Sequence, residues 1–131
     1  MSTVAQKLGI KPGATVAVDG RPLADIKHLL GPLPEGVIVS ERTGALVDQV
    51  ILAANGLDDL PPLLSGVWNE IAPGGRLWVW YRKGATKARG QDAETPLHRD
   101  TLQAVLAEQG MDGVALISVD ATWSSMRVRE I

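Results

Sequence analysis

Residues 71–80, Ile-Ala-Pro-Gly-Gly-Arg-Leu-Trp-Val-Trp, constrain the fold more than any other stretch of the chain. Pro73-Gly74-Gly75 is unable to continue a helix. The spacing therefore predicts a helix that stops here and a strand that follows at once over 76–81. Large apolar residues occupy both faces of that strand, Leu77 and Val79 on one, Trp78 and Trp80 on the other. A strand of this kind suits the centre of a parallel sheet covered on both sides.

The rest of the chain repeats the same grammar. A short helix is expected over 2–8, capped by Ser2 or Thr3, and is broken by Gly9 and by Lys11-Pro12-Gly13. Thr15–Val18 reads as a first strand, ending in Asp19-Gly20-Arg21-Pro22. Pro22 suits the start of a helix whose stripe is Leu23, Ile26, Leu29 and Leu30. Val37–Val39 is a second strand, with Ser40-Glu41-Arg42 beyond its end, and 47–54 a third, closed by Asn55-Gly56. A helix from about 59 to 71 carries Pro61-Pro62 in its first turn, where a missing N–H is tolerated. The polar, glycine-containing stretch 83–94 reads as a mobile loop. Thr95-Pro96 opens a last helix, 97–109, ended by Gly110. Val114–Val119 is a fifth strand, 120–125 a turn, and Met126–Arg129 a sixth strand, antiparallel because its link is short.

One domain over 1–131 follows, with no internal repeat and no linker. With right-handed parallel connections, the expected sheet order is 2-1-3-4-6-5 in a three-layer, Rossmann-like α/β fold. A chain of 131 residues buries roughly two-thirds of its unfolded surface and requires no covalent staple. The formal charge of −2 argues against a polyanionic partner for the whole surface. Absence of cysteine excludes disulfides and thiolate metal sites and fits a cytoplasmic location. No leader pattern opens the chain, and no apolar run approaches the roughly 18 residues of a membrane span. Four Trp and no Phe make indole the main aromatic core material, and each buried indole N–H is expected to find a partner.

This order resembles the sheet of class I methyltransferases with one early βα unit missing. The pieces that carry the likeness are residues 47–52, the Ala72-Pro73-Gly74-Gly75-Arg76-Leu77-Trp78-Val79 unit and the closing helix-strand-turn-strand. More closely, the chain resembles a family of small bacterial proteins known as domain of unknown function 3052. The shared features are Lys7-Leu8-Gly9-Ile10-Lys11-Pro12-Gly13, Leu30-Gly31-Pro32-Leu33-Pro34, Leu77-Trp78-Val79-Trp80 followed by Lys83, and Asp120-Ala121-Thr122-Trp123-Ser124. That family brings no established reaction with it.

The resemblance to the enzymes implies a site for S-adenosylmethionine, and the sequence departs from it in two places. A glycine-rich loop is expected after the first strand, and here one glycine is followed by Arg21 and Pro22, which reduces both backbone approach and N–H donors. After the third strand stands Ala53-Ala54-Asn55-Gly56, without the Asn-Pro-Pro motif and aromatic that cradle an amine. Glu41 stands where an acidic residue would hold the ribose hydroxyls.

Ligands of open α/β sheets sit beyond the carboxyl ends of the strands, at the switch point, here between strands one and three. The rim candidates are Asp19, Gly20, Arg21, Ser40, Glu41, Arg42, Asn55, Arg82 and Lys83, with Asp19 alternatively a helix cap. Arg82, Lys83, Lys87 and Arg89 read as a charged surface loop or as an anion-binding lid. They contain no P-loop pattern, and no interleaved aromatic to suggest nucleic acid. His28 and His98 are too few for a metal site, and Ser124 and Ser125 lack a nucleophile elbow. Trp78, Trp80 and Trp123 read either as core or as an aromatic protein-binding surface. The expected function is a non-catalytic binding or regulatory module that kept the scaffold and lost the cofactor loop. Its partner would be another protein or a second copy, with a small anion at the rim. The alternatives are a methyltransferase with an atypical S-adenosylmethionine loop and a small anion- or nucleotide-binding protein.

Overall fold

A computed structural model describes residues 3–83 and 99–131. Helix α1 is Val4–Lys7, opened by a capping box in which Thr3 and Gln6 exchange side-chain and backbone hydrogen bonds. It is followed by β1 (Thr15–Asp19), α2 (Leu23–Leu30), β2 (Ile38–Glu41), β3 (Val47–Ala53), α3 (Leu60–Leu64), β4 (Ile71–Arg82), α4 (Arg99–Glu108), β5 (Met111–Ser118) and β6 (Trp123–Glu130). Two 3-10 turns, Leu57–Asp59 and Val67–Glu70, flank α3.

The six strands form one sheet in the order β2-β1-β3-β4-β6-β5, as expected. The first four are mutually parallel, and β6 runs antiparallel to both β4 and β5. Alternation along the strands splits the core in two. On one face Ala17, Val50, Leu52, Leu77 and Val79 pack against Leu60 and Leu64 of α3 and Leu102 and Leu106 of α4. On the other, Val16, Val18, Ile51, Trp78 and Trp80 pack against Ala5 and Leu8 of the α1 segment and Ile26 and Leu30 of α2.

Several boundaries differ from the sequence reading. The helix expected over 59–71 is broken, because Gly66 adopts a left-handed φ of 69° after α3 and the chain re-enters as a 3-10 turn. Strand β4 begins at Ile71, not 76. Ile71 already pairs with Val47, and the register then shifts so that Arg76 pairs with Gln49. Pro73-Gly74-Gly75 is thus an irregularity inside a ladder rather than the stop between helix and strand. A Cβ on Gly75 would strike the Asp48 carbonyl, so the bulge requires glycine there. Strand β2 is shifted forward, which places Ser40 and Glu41 inside it. Strands β5 and β6 begin three residues earlier than expected, at Met111 and Trp123, and the turn between them shortens accordingly. The segment around Lys87 and Arg89, the opening Thr95-Pro96 and His98 lie outside the described residues.

The tryptophans are core. Trp78 and Trp80 are 1% and 0% exposed and Trp123 is 6% exposed, so the exposed aromatic patch considered from sequence is not formed. Trp78 donates its indole N–H to Gln49 Oε1 at 2.9 Å. The same Gln49 amide donates to the Gly9 carbonyl at 3.2 Å, tying the chain after α1 to the sheet. Trp68 and Trp80 do not meet the expectation of a partner: their buried indole N–H groups have none among the described residues, nor does the hydroxyl of Ser125.

Candidate functional site

The carboxyl edge of the parallel strands carries Asp19, Glu41, Ala53 and Arg82. The β5–β6 hairpin turns at this edge too, because Arg82 pairs with Trp123 and Ser118 with Ser124.

Between β2 and β3 the chain has only residues 42–46 in which to pass β1, which lies between the two strands in the sheet. Parallel crossovers usually need a dozen residues or more and a helix. Here Arg42 carries the load. Its N–H donates to the Val18 carbonyl at 2.9 Å, and its guanidinium turns onto the face covered by α3. Nε and Nη2 grip both oxygens of Glu70 at 2.8 and 2.9 Å. Nη1 donates to the Leu63 carbonyl at 2.6 Å and to Asp19 Oδ2 at 3.3 Å, and Nη2 also reaches the Ser65 carbonyl at 3.1 Å. All five donor directions of the fork are used. Two of the acceptors are carbonyls at the end of α3, where a cation is favoured. The hydrogen bond to Glu70 raises the Arg42 pKa, against the opposing effect of burial, with the charges of Glu70 and Asp19 adding to the rise.

Asp19 therefore does not cap α2, whose N-cap position is held by Pro22 without a side-chain hydrogen bond. Its other oxygen accepts from the Gly20 N–H at 2.8 Å. Gly20 has φ +95°, and a Cβ there would collide with the Ala53 carbonyl. The single glycine of this turn is required by the contact between the end of β1 and the end of β3. Arg21 bonds Asp25 one helical turn on, at 2.9 Å. Its guanidinium also lies 5.8 Å from the centroid of the Trp123 ring, and that of Arg82 lies 5.1 Å from the same ring. One indole thus serves two cations, one from the turn after β1 and one from the end of β4.

The remaining candidates are dispersed. Ser40, Glu41 and Asn55 are exposed, and no side-chain bond joins them to the other rim residues. The Asn55 backbone N–H is taken by Asp59 at 2.8 Å. Lys83 turns away to donate to Ser118 Oγ at 2.7 Å. The structure therefore gathers Asp19 with Arg42, and Arg21 with Arg82, but not the set as a whole. Sequence reasoning missed Trp123 as the shared ring, and Glu70 and Ser118 as partners. Only the Arg21–Asp25 spacing carried a local signal, since the other partners are distant in sequence.

An open depression of about 310 Å³ lies elsewhere, lined by Gln103, Gly113, Val114, Ala115, Leu116 and Met126. Among the described residues there is no cluster of His, Cys, Asp or Glu able to hold a metal. No described helix is long and apolar enough to cross a membrane.

No protein-family model matches the chain, and no curated protein matches it in sequence. Solved structures do match in fold. A SAM-dependent methyltransferase from Aquifex aeolicus is similar at a TM-score of 0.68 and 14% identity, over 98% of this chain and 88% of that one. DhpI in complex with SAH matches at 0.61 and 13%, over 97% and 82%. A ribosomal protein L11 methylase from Lactobacillus delbrueckii subsp. bulgaricus matches at 0.56 and 12%, over 95% and 73%. The chain has the Rossmann-like α/β fold of the class I methyltransferases.

Proposed function

We propose that this chain is a non-catalytic, methyltransferase-like binding module whose cofactor crevice is closed by its own side chains. One observation carries the reading. The residue after the only glycine of the β1 turn is Arg21, bonded to Asp25 and placed over Trp123, while Gly20 itself is spent on the Ala53 carbonyl. In a working cofactor loop that backbone would face the methionine part of S-adenosylmethionine. Here the turn offers it a bulky cation and, at Pro22, no N–H. The module's partner would be another protein or a second copy. Membership of the domain of unknown function 3052 family is part of the same proposal, supported by the shared segments at 7–13, 30–34, 77–83 and 120–124.

The second reading is an S-adenosylmethionine-dependent enzyme with an atypical loop. It is favoured by Glu41, an exposed carboxylate at the end of β2 that enters no ion pair among the described residues. It also draws on the complexes of DhpI, similar in fold, with SAH and with SAM. Under it, Glu41 would hold the ribose hydroxyls, and Asn55 would stand where the amine-cradling motif is expected. Calorimetric titration with S-adenosylmethionine and S-adenosylhomocysteine separates the two. The module reading expects no saturable heat with either compound, and saturable binding lost in Glu41→Ala would favour the enzyme reading.

A further inference from the structure

We propose that Lys7, Lys83 and Ser118 form a binding site for a phosphate-type oxyanion at the β5–β6 hairpin. Two ammonium groups from distant parts of the chain meet at one residue. Lys83 Nζ donates to Ser118 Oγ at 2.7 Å, and Lys7 Nζ, from the last turn of α1, donates to the Ser118 carbonyl at 3.4 Å. None of the ion pairs of the described residues includes either ammonium. The acidic residue of the hairpin, Asp120, is already engaged, its Oδ1 accepting from the backbone N–H groups of Thr122 and Trp123, both at 2.8 Å.

Two ammonium groups that share Ser118, with no ion-pair partner among the described residues, repel one another, and an anion that binds both removes that cost. The donors are also preset. The Lys83 backbone N–H is fixed to the Thr122 carbonyl at 2.7 Å. Ser118 Oγ accepts from Lys83, so its own proton remains free to be donated, and each ammonium retains further N–H donors. A tetrahedral dianion suits such a set better than a spherical halide, because it offers several oxygens to separated donors. The site lies at the β5–β6 hairpin, on the same carboxyl edge as the turn after β1. It goes beyond the reading given above, because neither Lys7 nor Ser118 enters the contacts that close the β1 turn.

The test is calorimetry and amide NMR on the full chain at constant ionic strength. Inorganic phosphate and a phosphomonoester are titrated separately, with chloride as the control. The expected result is saturable phosphate binding that perturbs Lys83, Ser118 and Thr122. It should weaken at least about tenfold in Lys83→Met through loss of charge-assisted hydrogen bonds. It should weaken less in Ser118→Ala, which keeps both cations, and not at all in Lys11→Met, an exposed cation beyond α1. Tighter binding of the ester would identify a phosphorylated ligand, and equal binding free phosphate. A response that chloride reproduces, or one unchanged in both Lys83→Met and Lys7→Met, would overturn the site.

Discussion

At the scale of single residues, Arg42 and Gln49 do most to hold distant segments together. Removing either leaves a polar group stranded. The Arg42 and Glu70 side chains are 11% and 13% exposed, so Arg42→Met leaves a largely buried carboxylate without its counter-ion. The expected cost is about 3 kcal/mol in urea unfolding. Arg42→Met combined with Glu70→Gln should cost clearly less than the sum of the single changes. The sign of the pH effect follows from the raised Arg42 pKa. A cation whose folded pKa lies above its unfolded value contributes fully below the unfolded value and loses that contribution only as pH rises through the folded one. For arginine this lies at extreme alkalinity, so the gap between wild type and Arg42→Met should not narrow between pH 7 and 9 through titration of Arg42. Gln49→Ala orphans the Trp78 indole and should cost about 2 kcal/mol. Ser125→Ala is the contrasting case. Its hydroxyl has no partner among the described residues, so the change should cost less than about 1 kcal/mol in the same assay. A loss as large as that of Gln49→Ala would mean that a buried water holds the hydroxyl.

At the scale of elements, the turn after β1 and the bulge in β4 show where local sequence was enough and where it was not. The order of strands, the antiparallel β6 and the parallel core around Trp78 and Trp80 were legible, because apolar runs and Gly/Pro punctuation act within a few residues. The division of 59–71 into α3 and a 3-10 turn was not, since an apolar stripe at helical spacing does not reveal that Gly66 takes a left-handed φ. The shift of β4 back to Ile71 also depends on a partner, Val47, outside its own window. In the candidate site, Asp19, Arg21, Arg42 and Arg82 were legible as rim residues, but two of their partners were not. Glu70 reaches Arg42, and Trp123 reaches Arg21 and Arg82, only through the tertiary fold. Gly20 is the sharpest test at this scale. Gly20→Ala adds both a positive-φ penalty and a collision with the Ala53 carbonyl, and should destabilise by about 3 kcal/mol. Gly13→Ala, at φ +80° with open space around it, should cost only about 1 kcal/mol. Equal losses in thermal unfolding would show that φ alone, and not the β1–β3 contact, sets the need for glycine.

For the whole molecule, the fold and the crevice give different messages. The sheet order is that of class I methyltransferases, yet the turn that would meet a cofactor is committed to internal contacts: Gly20 to Ala53, Arg21 to Asp25 and Trp123, Asp19 to Arg42. A fold of this type does not by itself fix a reaction. Whether the crevice is self-occupied is decided by thermal unfolding against rising S-adenosylmethionine and S-adenosylhomocysteine. A ligand specific to the native state, present at 100 times its dissociation constant, stabilises by about 2.7 kcal/mol, several degrees for a domain of this size. The account predicts no dose-dependent rise with either compound. A rise that saturates, and that disappears in Glu41→Ala, would show an open cofactor site and revive the enzyme reading.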